Sequence, residues 1–417
     1  MTTTTRPKLP APPTRTPGAP TALAGLRVVD FSHFIAGPLA TLFLADMGAE
    51  VIKIENAGKG DDMRRFQPQI EGQSAAFLWA NRNKLGIELD LTKPAAREIA
   101  RELIASADVV VENFSTGVME KFGLGYDAMA ALNPRLIYCA VSAYGREGPF
   151  ADRLGFDPVV QAETGFMSLN GHADRPAVRT GPAIMDMSSG MMAAIAILGA
   201  LAARERIGRG QRVDVALFDT ATQMLGFHAM NYLASGRNPT RNGNNSPDTQ
   251  PMGVFQSADG PIYLACANDR TYQRLMTEVL DRPDLVDDPE FATLVGRLRN
   301  REKLGQLIEA ALGRAGRDHW IAKMRAAGVP AGAVRSVEEA MASPEMAARA
   351  LVAEIDHPTA GRVPNIAPPF RMSATPVIDP VAAPTLGQQT RLVLADRLGY
   401  DASRIDALVA AGAVGKC

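Results

Sequence analysis

Cysteine is scarce in this chain of 417 residues, which has only Cys139, Cys266 and Cys417. Three widely spaced thiols exclude a disulfide framework and fit a reducing compartment, so a cytoplasmic protein is expected. The cysteines lack the paired spacing of a zinc site, and the five histidines are scattered, so no structural metal is expected. An excess of one charge is also missing. With 44 basic and 45 acidic residues the net charge is −1, which leaves no overall field for nucleic acid or an anionic membrane. No G-x-G-x-x-G follows the first apolar strand, where the turn reads Ala36-Gly37-Pro38, so the usual phosphate loop of a dinucleotide site is absent. The longest apolar stretch, 181–203, contains Asp186, Ser188 and Ser189 and runs into Arg204-Glu205-Arg206. It reads as a buried helix rather than a membrane span.

What is present is apolar residue at 46%, in a chain too long for one core. Val- and Ile-rich strands at 26–31, 50–55, 85–91, 108–114 and 135–142 alternate with helical patterns such as 93–107. That alternation predicts an α/β fold, a Rossmann-like doubly wound parallel sheet covered on both faces. After Gln211 the pattern changes, and strand-like 253–257 and 262–267 flank a turn at Ala258-Asp259-Gly260. The expected organisation is a flexible N-terminal tail over 1–22, a large domain over 23–225 and a small α+β domain over 226–345. A Pro-rich connector returns to the large domain over 346–417. Within the small domain, 242–251 is dense in Asn, Gly and Pro and reads as a mobile loop or an ordinary surface turn.

Asp186 is the residue of most chemical interest. It stands before the small-residue run Met191–Leu201, at the mouth of a long apolar helix. Taken alone, an Asp there reads as a helix N-cap. The alternative is a carboxylate nucleophile, which at an ordinary carboxylate pKa is ionised at neutral pH and needs no base. The free amides of the helix start are expected to favour that anion.

Several blocks decide between these readings together. They include Asp30-Phe31-Ser32-His33 with Gly37-Pro38, Gly48-Ala49-Glu50-Val51-Ile52-Lys53-Ile54-Glu55, Gly60-Asp61 with Arg64, Asn81-Arg82-Asn83-Lys84 and Val111-Glu112-Asn113-Phe114. Later blocks are Asn133–Tyr138, Gly155-Phe156-Asp157 with Gln161, Gly208-Arg209-Gly210-Gln211 and Gly387-Gln388-Gln389-Thr390. In this order they resemble the class III CoA-transferases, the formyl-CoA transferase-like or CaiB/BaiF family. The resemblance implies a CoA-transferase that acts on acyl-CoA and carboxylate substrates, with no tightly bound cofactor and an interlocked homodimer. It makes Asp186 the nucleophile and aligns Phe34, Ile35, Ala36, Arg64, Lys84 and Asn113 with CoA-binding positions, with Arg82 and Arg153 as weaker additions. The 242–251 loop falls where the family has a lid over the reacting group.

Oxalate-type members have Gln where Ile35 stands and a longer glycine-rich lid. The resemblance thus points away from formate and oxalate, toward a longer carboxylate with succinyl-CoA as a donor. The rival of the same fold is an α-methylacyl-CoA racemase, whose Gly-His-Asp motif supplies one of two proton-transfer groups. Here the motif reads Gly155-Phe156-Asp157, and Phe156 carries no proton. A CoA-binding regulator or an acyl-CoA hydrolase are further alternatives.

Overall fold

The computed structural model describes residues 6–415, and its larger unit is built on six parallel strands. These are β1 (Arg27–Asp30), β2 (Glu50–Asn56), β3 (Lys84–Leu89), β4 (Val109–Glu112), β5 (Ile137–Ser142) and β6 (Gln211–Ala216). Their order, β3-β2-β1-β4-β5-β6, is the doubly wound Rossmann-like arrangement. Successive side chains of a strand face opposite sides, and the inner strands are apolar on both. Val28, Val51, Val109 and Ile137 enter one core, whereas Val29, Ile52, Val110 and Tyr138 enter the other.

Both faces must then be covered. The helices that bear on the site or cover the sheet are α1 (Ala36–Asp46), α2 (Pro94–Ala105), α3 (Asp157–Glu163), α4 (Ile184–Ile207), α5 (Leu217–Met224), α6 (Thr390–Leu398) and α7 (Ala402–Ala410). Residues of α1 and α4 fill the first core, and those of α2, α6 and α7 fill the second. By length and composition α4 is apolar enough to cross a membrane. Its Met185, Ala193, Ile197 and Ala200 instead lie in the first core, at the spacing of one helix face. Gly190 lets α4 approach α1 closely, because a Cβ there would stand 2.6 Å from the Ala36 carbonyl oxygen.

The larger unit comprises 6–166, Thr180–Ala229 and 344–415, and the smaller one Met167–Arg179 with Met230–Ser343. The smaller unit holds an antiparallel sheet of β7 (Met252–Ser257), β8 (Gly260–Ala265) and β9 (Ala331–Ala333), in the order β9-β8-β7. Its core includes Phe255, Ile262, Leu304, Ile308 and Trp320.

Two expectations are corrected here. The small domain, expected over 226–345, also takes in 167–179, held by backbone and side-chain bonds that composition does not signal. Gly243 N donates to Gly171 O at 2.9 Å, and Arg241 donates to the carbonyls of His172 and Arg175. These bonds, with that from Arg301 to Ser246 O, also anchor the 242–251 loop within its own unit. The described part of the expected flexible tail is tied down. Arg6 bonds Glu354, Glu354 N donates to Pro10 O at 2.8 Å and Arg15 N donates to Asp379 at 2.8 Å. Proline-rich chain has few donors, yet its carbonyls still accept.

Candidate active site

In an open doubly wound sheet, ligands bind beyond the carboxyl ends of the strands where the strand order reverses. Here that point lies between β1 and β4, and the loops that follow them meet there. Asn113 Oδ1 accepts from His33 N at 2.8 Å and its Nδ2 donates to His33 O at 2.8 Å, so one side-chain amide pairs with both backbone groups of one residue across the switch point. The rest of the β1 loop is held in the same way. Asp30 accepts from Ser32 N, Lys53 Nζ donates to Ser32 O, and Asp61 accepts from Phe34 N. Phe34 takes a left-handed backbone conformation, φ 60°, which a bulky residue adopts only where its surroundings impose it.

Beneath this loop lies a buried network of charge. Asp30 pairs with Lys84 at 3.0 Å and Lys53 with Asp61 at 3.1 Å, all four side chains being fully inaccessible. Burial alone would raise the two carboxyl pKa values. The cations outweigh it: Lys84 and Lys53 hold Asp30 below the ordinary carboxylate range, and Lys53 and His33 do so for Asp61. Sequence reading assigned no role to Asp30, Lys53 or Asp61, and to Lys84 a CoA-binding one. The signal was there in Lys53 within Val51-Ile52-Lys53-Ile54, since a charge inside a buried strand requires a partner.

Of the residues expected to hold CoA, the structure gathers Phe34, Ile35 and Ala36 at the loop and the start of α1, with Asn113 bracing them. It corrects the two cations. All three donors of Lys84 are used, on Asp30, Pro38 O and Asn81, and none reaches solvent. Arg64 spends Nε and Nη2 on Glu55, each at 2.6 Å, and lies 3.7 Å from the ring centre of Phe77. Both act as internal counter-ions, because a low-dielectric interior that holds Asp30 and Glu55 must neutralise them. The weaker candidates are likewise paired, Arg82 with Asp46 and Arg153 with Glu163.

Asp186 lies in the first turn of α4 and is half-buried. It is not the cap of that helix. The cap position is Ala183, whose side chain makes no capping bond, and the amides are taken from another helix. Asp157, at the start of α3, accepts from Met185 N at 2.6 Å and from Asp186 N at 3.3 Å. No hydrogen bond to the Asp186 carboxylate is found among the described residues. Burial first, and the Asp157 charge second, push its pKa up to about 7. This corrects the expectation of a carboxylate fully ionised at neutral pH through the helix amides: those amides serve Asp157.

The loop and the helix start are joined in two places. Gly190, one turn beyond Asp186, abuts Ala36. Phe156, next to Asp157, sets its ring edge-on to Phe34 with 6.0 Å between centres, and Phe66 stands 6.4 Å from Phe34 on another side. Phe156 and Phe66 are exposed, so this aromatic group presents open apolar surface where the chain enters α3. Among the described residues no group of three or more His, Cys, Asp or Glu side chains is placed to hold a metal ion.

The family model of CoA-transferase family III matches residues 23–390. The chain is similar to the succinate–glutarate CoA-transferase of Agrobacterium fabrum, 38% identical over 381 residues that cover 90% of this chain and 95% of that one. It is similar to the acetyl-CoA:oxalate CoA-transferase of Acetobacter aceti, 39% identical over 326 residues, 78% of this chain and 84% of that one. Among solved structures, a CaiB/BaiF family protein from Brucella suis superposes with a TM-score of 0.83 at 38% identity, covering 90% of this chain and 99% of that one.

Proposed function

Since the chain belongs to CoA-transferase family III and is a CoA-transferase acting on CoA thioesters, we propose that it moves CoA from a dicarboxylic acyl-CoA to a second carboxylic acid through Asp186. Exchange of one thioester for another is nearly isoenergetic, so what the enzyme must lower is a kinetic barrier. Asp186 attacks the donor thioester carbonyl, forming a mixed anhydride and releasing CoA thiolate. The thiolate attacks the Asp186 carbonyl of that anhydride, freeing the donor acid and leaving an aspartyl-CoA thioester. The acceptor carboxylate displaces CoA from it, and CoA attacks the acceptor side of the new anhydride to give the product and regenerate Asp186.

The observation that carries this reading is a half-buried carboxylate with neither cation nor hydrogen-bond donor among the described residues, on a helix that abuts the α1 start at Gly190. A poorly solvated carboxylate is the better nucleophile once ionised. The amides of the α1 start, which no side chain caps, suit developing oxyanions. Succinyl-CoA as donor is supported by Ile35 and by the succinate in the name of the Agrobacterium relative. The Acetobacter relative is named for oxalate, which weakens the argument from Ile35 against that acid. Racemase chemistry is not favoured, because Phe156 stands where a proton carrier is required.

The 242–251 loop, as a lid, would keep water from the anhydride. We also read the protein as cytoplasmic, from its few cysteines, and as a homodimer, a reading supported by exposed Met191, Met192 and Ile195 on α4. The test is a mass-spectrometric screen of acyl-CoAs against pooled carboxylates, with Asp186→Ala alongside. New thioesters from the wild type alone are expected, and equal exchange by the variant would remove Asp186 from the mechanism.

A further inference from the structure

We propose that Asp157 is a positioning residue that caps α4 from a neighbouring helix and so leaves the Asp186 carboxylate free to react. The inference rests on the reading of Asp186 as nucleophile. Asp186 is the third residue of α4, the place from which an acidic side chain ordinarily folds back onto the free amides of its own helix start. A cap residue ordinarily bonds the second and third amides. Those are Met185 N and Asp186 N, and Asp157 holds both.

The arrangement is buried and braced. Asp157 is 2% exposed and Gln161 0%. Gln161, one turn along α3, donates Nε2 to Asp157 Oδ1 at 2.5 Å and accepts Thr180 N at 3.0 Å. A line of bonds thus runs from the chain entering α4, through Gln161 and Asp157, to the amides beside Asp186. Because Asp157 has no cation among its bonded partners, its charge bears on Asp186.

Other charged or titratable groups on elements packed against α4 are accounted for. Asp46 of α1 is bonded to Arg82, and Glu163 of α3 to Tyr144 and Arg153. The buried Tyr138 and Cys139 of β5, Arg212 and Asp214 of β6 and Asp219 of α5 complete the set; Asp157 is the one that acts on Asp186.

The experiment compares Asp157→Asn, Asp157→Ala and Gln161→Ala with the wild type, by steady-state CoA transfer against pH and by 13C NMR titration of labelled aspartate carboxyls. Asp186→Asn assigns the Asp186 signal. Asn at 157 keeps an acceptor for the amides but no charge. Its expected effects are an Asp186 titration and an activity midpoint moved to lower pH, with kcat reduced about tenfold and KM for acyl-CoA little changed. Asp157→Ala frees the amides and is expected to cost about 10- to 100-fold in kcat. An unmoved carboxyl titration and pH midpoint in Asp157→Asn, with near-normal kcat, would overturn the proposal. If that variant does not fold, Gln161→Ala decides: a severalfold loss of kcat at constant KM supports it, and an unchanged kcat refutes it. Full activity of Asp186→Ala would instead defeat the nucleophile reading, while the titration would still report the coupling of the two carboxyls.

Discussion

Two regions a few residues of structure apart treat carboxylates in opposite ways. Under the β1 loop, Asp30 and Asp61 are fully buried and surrounded by Lys84 and Lys53, which keep them ionised and immobile. At the start of α4, Asp186 is less buried, has no cation partner among the described residues, and is pushed toward the neutral form by burial and by Asp157. The first set spends its charge on holding a backbone in place. The second has no such structural duty, which is what the proposed role of Asp186 as nucleophile requires. Perturbation toward neutral pH in a cleft, without a structural partner, marks the reactive group better than burial does.

The largest expected effect that would break this contrast comes from Asp186→Ala. Transfer should fall by at least about 1,000-fold with the fold retained, as seen by thioester exchange and circular dichroism. Lys84→Met removes a cation from the other region and leaves Asp30 short of charge in the interior. It should cost about 3–5 kcal/mol in urea unfolding. Gly190→Ala pushes α4 away from the Ala36 carbonyl, at about 1–3 kcal/mol and with a measurable loss of kcat.

The pH dependence sharpens the comparison. With a pKa near 7, Asp186 must lose its proton to act, so kcat/KM should fall about tenfold per pH unit below 7 and level off above it. The smallest effect concerns stability. A carboxyl whose folded pKa is raised binds its proton more tightly when folded, so its contribution is present at low pH and is lost as pH rises toward 7 and beyond. Asp186→Asn should accordingly melt higher than the wild type at pH 8, a margin that shrinks by pH 5.

The fold was legible because its signals are local. Val28-Val29 and Val109-Val110-Val111 are apolar at every position, which requires cover on both faces of a sheet. Asp186 stood out as a candidate through the family pattern, since its place before a long helix alone reads as a cap. Its partner did not, because Asp157 is 29 residues earlier and caps a helix to which it does not belong. The roles of Lys84 and Arg64 were misread for a related reason. A basic residue in a phosphate-binding family suggests a phosphate, but whether its charge is free depends on Asp30 and Glu55, which arrive from other strands. The smaller unit's first segment, 167–179, was missed because a short crossing leaves no mark in composition.

The edge of β3 is completed by residues made long after it. Gly86 N donates to Gln389, Glu88 N to Thr390, and Leu89 bridges to Val414. During synthesis the first half of the sheet emerges long before that cover exists, and an uncovered strand edge is a template for pairing with other chains. A ribosome that stalls before residue 390 leaves a nascent chain whose sheet is nearly whole but whose border is open. That open border is where pairing with another chain would begin.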